Sequence, residues 1–361
     1  MTGPSIIQLV LGSNNLPFSK HLYTTVFGFA AAGDRIVYSA HNGQVMGLGD
    51  YGGAMVSYLV GRQELMQLEF WTHTTPTQRP LPADWRPNDI GFTRFGVCVD
   101  NFDGVLQRLT DARVPTLTPV QQRNGLRRVC FHDPTLGIPV EIMEEGGALV
   151  GDRDRYHDLD PAVVYVTVSV TDLDEAVEYF ADVVGLQRVD VLLHQPQDEE
   201  MWGLAGARRR TEVLLGGSTF LELVQYEWPA GRPRPLEDPL NAQGFKTVAV
   251  GHRDPAATGA IFERVKAAGF SWTVSEPASF IGGNHVIGRP AYRMKTLSVP
   301  LDVERQFGYS PEPPTWWRPP STGQPQHTDS GGDTAAVMTG RASMTSILPL
   351  PEPTVEKETA K

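Results

Sequence analysis

The apolar residues of the chain form short runs typical of buried strands, and each run leads into a helical segment. Residues 6–11 and 163–168 are almost continuously apolar and rich in Val, Ile and Leu, which predicts strands. The segment after each run ends at a glycine, Gly28 in the first case and Gly185 in the second. Glycine is a common helix stop because it adopts a positive φ without strain. Asp172 precedes the second segment as a plausible N-cap.

The same succession of landmarks occurs twice along the chain. The two glycines lie 157 positions apart (185 − 28), and Gln8 and Tyr165 share this offset. Further on, strand-like stretches begin at Gly91 and Gly244, 153 positions apart (244 − 91). Because the landmarks keep their order while the offset drifts slowly, they predict an internal duplication with its boundary near Asp158.

Each half therefore predicts a strand, a helix and three strands, twice over. A unit of this kind buries one sheet face under its helix and leaves the other face open. The predicted fold class is α+β, with four tandem βαβββ modules paired within each half into two cupped half-barrel domains, residues 1–158 and 159–309. The concave face of such a cup is a natural ligand pocket. Residues 310–361 are rich in Pro, Ser and Thr without an apolar period, which predicts a disordered tail.

Composition restricts the partners of the chain. A formal net charge of −11 argues against nucleic acid or an anionic membrane, because both select for basic surfaces. The sequence contains no run long and apolar enough for a transmembrane helix, and its N-terminus lacks the features of a secretory signal. Two cysteines in predicted strands fit a reduced, cytoplasmic protein. Four modules can pair internally, so we expect a monomer or a homodimer that binds a small molecule.

Three stretches resemble the vicinal oxygen chelate superfamily, which includes glyoxalase I, extradiol dioxygenases, methylmalonyl-CoA epimerases and bleomycin-resistance proteins. The resemblance covers about residues 5–305 and is specific for the fold, while it says little about the reaction. The stretches that carry it are the strand and helix of 168–185, the hairpin of 133–141 and the strand of 220–224.

The resemblance also implies where metal ligands would lie. In metal-dependent relatives a His or Gln early in the first strand of each module and a Glu in its last strand converge on one ion, which needs several N or O donors. Arg94 occupies one of these positions and cannot ligate a metal, and no position holds a His. The candidate cofactor is therefore either none or a divalent ion such as Fe, Mn or Zn. In the first half the candidate ligands are Gln8, Glu141 and one residue near the start of the module's last strand. The register there is ambiguous between Glu64, Gln67 and Glu69, and we choose Glu64.

The matching positions of the second half suggest chemistry without a metal. Glu222 in an apolar cup would have a raised pKa and could abstract a proton, while Tyr165 and Tyr292 hold the developing enolate oxygen. The alternative is that these groups only line a binding pocket. Thr247 occupies the remaining position.

Three residues are candidate contacts to a substrate, namely Arg94, Thr247 and Gln8. An alternative for Arg94 is an ion pair with Glu141 that fills a former metal position, because buried arginines are usually paired. Four histidines lie in loop or hairpin segments, namely His41, His132, His194 and His285. A lone His of this kind is more often a surface or capping residue, yet any of the four could complete a site by approaching across the cup.

Two functions follow from the resemblance and the candidate residues. The first is an enzyme that acts on a small, largely apolar carbonyl or phenolic compound by lyase, isomerase or ring-cleavage (dioxygenase) chemistry. The second is a metal-free protein that binds and sequesters a small molecule, as the drug-resistance members do. The absence of first-strand histidines favours the second function or a metal-independent enzyme.

Overall fold

Four modules with one order of elements make up the body of the protein. The structure, a computed structural model, describes residues 3–313 except 41–42, 44–45, 124, 147–154, 235–239, 271, 275–282 and 287–289. Each module contributes one strand, one helix and three further strands, which confirms the predicted α+β class. The strands are β1 (Ser5–Gly12), β2 (Ala30–Ser39), β3 (Gly52–Val60) and β4 (Gln67–Thr75) in the first module; β5 (Gly91–Val99), β6 (Gln121–Arg123), β7 (Leu126–His132) and β8 (Pro139–Glu144) in the second; β9 (Ala162–Ser169), β10 (Gln187–Arg188), β11 (Arg208–Gly216) and β12 (Thr219–Trp228) in the third; and β13 (Gly244–His252), β14 (Trp272–Val274), β15 (Gly283–Val286) and β16 (Met294–Ser298) in the fourth.

One helix follows the first strand of each module. Two of them continue into a wider π-helical stretch and end at Gly28 (φ 89°) and Gly185 (φ 98°), in the left-handed conformation that favours glycine. Asp172 caps the third helix by accepting hydrogen bonds from two backbone N–H groups. The helices are α1 (Leu16–His21, continued by Leu22–Phe27), α2 (Phe102–Asp111), α3 (Leu173–Val177, continued by Glu178–Val184) and α4 (Pro255–Ala267), with short 3₁₀ helices at Pro196–Trp202 and Pro290–Tyr292.

The modules pair across the two halves of the chain and not within them, which corrects the expected pairing. The first sheet joins modules one and four in the order β14-β15-β16-β13-β1-β4-β3-β2, and the second joins modules two and three in the order β10-β11-β12-β9-β5-β8-β7-β6. The central pairs, β1 with β13 and β5 with β9, are antiparallel. This arrangement lets the helices of all four modules share one core, so each half contributes to both sheets.

The shared core contains side chains from both sheets and from every helix, including Val26, Leu109, Phe180 and Val265. Alternate residues of the central strands point into this core, so the residues between them lie on the opposite, helix-free face of each sheet. We call these faces the first cup, on the first sheet, and the second cup, on the second sheet.

Little of the predicted tail lies within the described residues. Residues 310–313 are described, and the Glu312 backbone N–H donates to the Ala31 carbonyl at 2.7 Å. The remainder of the tail lies outside the described residues. Within the described part of the chain, no helix has the length and apolar character needed to cross a bilayer.

Candidate functional site

Strand register identifies the carboxylate position of the first module. In the second sheet Glu222 stands opposite Thr167, and in the first sheet Glu69 stands opposite Val10, the residue at the equivalent place. Glu69 is therefore the counterpart of Glu222. Glu64 precedes β4, is largely exposed and lies 3.5 Å from an arginine outside the cup, so it does not join Gln8 on the cup floor.

The same reasoning corrects the position assigned to Tyr292. Glu141 stands opposite Gly96 in the second sheet, whereas Lys295 stands opposite the equivalent Ala249 in the first. The counterpart of Glu141 is thus a lysine. Tyr292 lies in the short helix before β16 and packs in the shared core, 5.1 Å from the ring of Tyr179. The structure therefore separates Tyr292 from the other two candidate catalytic residues.

In the second cup, an imidazole ring bridges two buried glutamates. His194 Nδ1 lies 2.7 Å from Glu222 Oε1, and His194 Nε2 lies 3.0 Å from Glu141 Oε2. All three side chains are at most 1% exposed. His194 approaches across the cup from the segment between β10 and the helix at Pro196, where no periodic pattern could have indicated its position.

Two arginines hold the outer oxygens of these glutamates. Arg94 Nη2 donates to Glu222 Oε2 at 3.0 Å, and Arg128 Nε donates to Glu141 Oε1 at 2.5 Å. Arg94 thus does not form the expected ion pair with Glu141. The reason is register: Arg94 stands opposite Thr167, which in turn stands opposite Glu222. We call Glu141, Glu222, His194, Arg94 and Arg128 the second-cup cluster.

Two hydroxyl groups complete the second-cup cluster. Thr167 Oγ1 donates to Glu222 Oε2 at 2.7 Å, and Tyr165 OH donates to Glu141 Oε2. Tyr165 and Glu222 both contact the His194 ring, and both are already engaged in hydrogen bonds. Burial and the adjacent Glu141 charge raise the pKa of Tyr165 well above its usual range.

The charges of the cluster keep both carboxyl groups ionised. Burial opposes ionisation of Glu141, but the positive charges of Arg128 and His194 outweigh it and lower the pKa of Glu141 to about 2. The pKa of Glu222 is also lowered, because His194 and Arg94 outweigh burial. Burial lowers the pKa of His194, but the attraction of the two glutamates prevails and raises it. The raised carboxyl pKa expected for Glu222 is therefore wrong, since the cup is rich in cations.

The segment 189–207 covers the second cup. The Trp202 ring lies 4.0 Å from the Arg94 guanidinium, and its Nε1 donates to Glu199 Oε2 at 2.7 Å. Met201 and Leu204 pack against Val224 of the cup floor. The second cup is consequently filled by the protein's own side chains.

The first cup holds a smaller ionic group at the equivalent positions. Lys295 Nζ donates to Glu69 Oε2 at 2.8 Å and to Gln8 Oε1 at 3.1 Å, and Gln8 Nε2 donates to Gln67 Oε1 at 2.5 Å. Lys295 is 12% exposed and Glu69 6%. We call Lys295, Glu69 and Gln8 the first-cup group.

Apolar and aromatic side chains surround the first-cup group. Val10, Trp71, His73 and Thr247 line a small cavity together with Lys295. Burial, followed by the charge of Lys246, lowers the pKa of His73 to about 4, so its ring is neutral at pH 7.

A larger cavity of about 230 Å³ lies beside the small one, between the linkers that follow β4 and β12. Lys246 lines both cavities. Apolar side chains such as Leu81, Trp85 and Pro233 line the larger cavity together with charged ones, namely Asp84, Asp89, Arg232, Arg234 and Lys246. The first cup is thus adjacent to open space.

Neither cup offers a donor set that suits a divalent metal. Among the described residues, no three His, Cys, Asp or Glu side chains are arranged to hold an ion. A cation occupies one of the four ligand positions in each cup, Arg94 in the second and Lys295 in the first, and repels a metal. The candidate ligands Gln8 and Glu141 belong to different sheets, so they do not converge.

Comparison with known proteins agrees with this architecture. No family model matches the sequence. A "putative dioxygenase" from Bacillus subtilis superposes with a TM-score of 0.58 at 13% identity, over 86% of this chain and 91% of that one. Glyoxalase I from Zea mays superposes with a TM-score of 0.54 at 14% identity, over 82% and 92%. The chain has the vicinal oxygen chelate fold.

At 13–14% identity these two structures share the fold of this chain, but a shared fold does not define the chemistry. By sequence, the AA9 family lytic polysaccharide monooxygenase E of Aspergillus tamarii is 29% identical over 179 residues, which is 44% of this chain and 64% of that protein. The chain thus spans less than two thirds of that relative.

Proposed function

We propose that the protein is a metal-independent small-molecule-binding protein of the vicinal oxygen chelate fold, with its ligand site in the first cup. The observation that carries the proposal is the first-cup group, in which Lys295 stands where the second cup has a carboxylate. The ligand class is a small, largely apolar compound that carries a carbonyl or phenolic oxygen.

The chemistry of Lys295 supports this ligand class. An ammonium group has three N–H donors, and among the described residues Glu69 and Gln8 accept from it. Within the described part of the chain, one of its three N–H donors is therefore left for an oxygen of a ligand. A hydrogen bond from a charged donor in a water-poor site is stronger than a neutral one.

The surroundings of Lys295 support an apolar body for the ligand. Val10 and Trp71 are less than 10% exposed and face the small cavity. Its volume of about 10 Å³ admits only the oxygen-bearing end of a ligand, so the apolar body would lie in the adjacent cavity of about 230 Å³. Pockets for small ligands combine such apolar walls with a few polar groups that fix orientation. The second cup has the polar groups but no space, because the segment 189–207 fills it.

Binding of 4-nitrophenol, whose absorbance reports its ionisation, tests the proposal. The wild type should bind it saturably and favour the phenolate, because Lys295 stabilises the negative oxygen. In Lys295→Met the affinity should fall at least about tenfold, the equivalent of one charged hydrogen bond. The control is Lys20→Met, which removes a more exposed lysine paired with Asp34. Equal binding by wild type and Lys295→Met would refute the site.

A second candidate function is a lyase- or isomerase-type enzyme that uses the same cup. The observation that favours it is the buried contact of Glu69 with Lys295, since a carboxylate and an ammonium can act as base and electrostatic stabiliser for proton abstraction beside a carbonyl. Cyclohexanone in D₂O is the probe. Protein-dependent deuterium uptake at the adjacent carbon, lost in Glu69→Gln, would show enzyme chemistry, whereas saturable binding without uptake would show a binding protein.

A further inference from the structure

The hydrogen bonds of the second-cup cluster determine the charge of its imidazole ring. Both ring nitrogens of His194 face glutamate oxygens, at 2.7 and 3.0 Å. An ionised carboxylate only accepts hydrogen bonds, so each nitrogen has to carry a proton. A ring with a proton on both nitrogens is an imidazolium cation.

The remaining contacts show that the glutamates are the acceptors. Glu222 Oε2 accepts from Arg94 and from Thr167. Glu141 accepts from Arg128 on one oxygen and from Tyr165 on the other. Arg94 and Arg128 each place a positive charge against one of the glutamates. This charge favours the anionic form of both carboxyl groups, so the protons between them and His194 belong to the ring.

The other buried carboxylates near the ring have arginine partners of their own. Asp198 pairs with Arg123 at 2.6 Å, and Glu199 pairs with Arg209. The carboxylates that contact the His194 ring are therefore Glu141 and Glu222, and loss of the ring's charge would remove the cation that joins them.

We propose that the imidazolium ring of His194 takes the place of a metal ion in the second cup. Glu141 and Glu222 hold the last-strand positions of modules two and three, at which the superfamily resemblance implies carboxylate ligands. In this chain the two carboxylates are joined by an organic cation supplied by the protein itself. The second cup is therefore an ionic core that holds the four central strands together and takes no ion from solution.

Chemical rescue of a cavity variant tests the proposal. His194→Gly removes the ring and leaves a gap between the two carboxylates, so the variant should unfold at a lower temperature than the wild type. Imidazole should restore most of the lost melting temperature in a saturable way, because it is protonated in the gap. Thiazole, which has a similar shape but is uncharged at neutral pH, should restore little.

The matched control is His73→Gly, which removes a buried ring that stacks on Trp71 and bridges no carboxylates. In this variant, imidazole and thiazole should change the melting temperature to the same extent. Equal rescue of His194→Gly by both compounds would overturn the proposal, because shape alone would then suffice. Stoichiometric Co²⁺ binding by the wild type, seen in its visible absorption, would overturn it as well.

A measurement on the wild type covers the case in which His194→Gly fails to fold. In protein labelled with ¹⁵N at histidine, one ring of the nine histidines should show protons on both nitrogens at pH 7, with slow exchange. This pair of resonances should be absent from His194→Gln. A neutral His194 ring, with one bare nitrogen, would refute the proposal.

Discussion

At the scale of single residues, the two cups differ in which position a cation has taken. Arg94 replaces a first-strand donor in the second cup, and Lys295 replaces a last-strand carboxylate in the first. Arg94 is fully buried between Glu222 and Tyr226 and stacks on Trp202. Because this charge is desolvated, its removal should lower the free energy of unfolding, whereas removal of an exposed charge should change it little.

Arg94→Met should lower the free energy of unfolding by about 3–5 kcal/mol, the cost of breaking a buried ion pair and leaving one partner behind. Urea denaturation followed by circular dichroism gives the value. Arg188→Met is the control, because its ion pair with Asp182 is exposed on both sides and should contribute less than about 1 kcal/mol. Similar losses in the two variants would contradict the description of the second-cup cluster.

Stability should fall on acidification in a window defined by Glu141. Its pKa is about 2 in the folded protein and about 4.3 in an unfolded chain. Because the folded value is the lower one, the stabilisation is present above about pH 4.3 and is lost as the pH falls towards 2. Urea midpoints measured across this range should decline in the wild type and decline less steeply in Glu141→Gln. The same decline of the urea midpoint with pH in the wild type and in Glu141→Gln would show that Glu141 does not cause the loss of stability.

At the scale of elements, close approach of strands and loops decides which side chains meet. Gly96 on β5 lies directly under the Tyr165 ring of β9, and a Cβ atom there would overlap that ring. The missing side chain is what allows Tyr165 to reach across β5 to Glu141 on β8. A glycine within a strand thus has a specific packing role in this sheet.

Gly96→Ala should destabilise the fold by about 1–3 kcal/mol, because the added methyl group overpacks a buried contact. The matched control is Gly259→Ala in helix α4, where a Cβ atom would meet nothing within 4 Å. That change should stabilise the protein by about 0.5–1 kcal/mol, since alanine favours a helix interior. Thermal melts should show a lower melting temperature for Gly96→Ala and a higher one for Gly259→Ala. A lower melting temperature in both variants would contradict the packing argument.

The sequence predicted elements better than it predicted contacts between them. Strand-like runs and the stops at Gly28 and Gly185 follow from local periodicity, and the structure confirms them. The counterpart of Glu141 was misplaced by three residues, because the irregular segment before β16 shifts the alignment to Lys295. His194 comes from a segment without regular period, and only three-dimensional packing brings it across the cup.

At the scale of the whole molecule, the two sheets depend on both halves of the chain. β1 pairs with β13 and β5 with β9, so the central pair of each sheet joins residues far apart in sequence. The repeat boundary that the sequence predicts lies near Asp158, and a cut there separates the two strands of each central pair. Modules two and three, in contrast, are contiguous and contain every strand of the second sheet.

The fragments 1–158 and 159–309 should each fail to fold alone and should regain structure when mixed. Circular dichroism and size-exclusion chromatography of the separate and mixed fragments give the answer. The comparison fragment is 87–230, which keeps the second sheet whole and should retain strand structure by itself. Independent, cooperative folding of fragment 1–158 would contradict the pairing across the halves.

Pairing across the halves has an evolutionary consequence. A single ancestral half could have built both sheets only by exchanging modules with an identical copy, and symmetry would have made its two cups identical. If the chain arose by the predicted duplication, fusion of the two copies removed that symmetry constraint and let each cup change on its own. One cup could then become a closed ionic core that holds the molecule together, leaving its twin free to specialise in recognising a ligand.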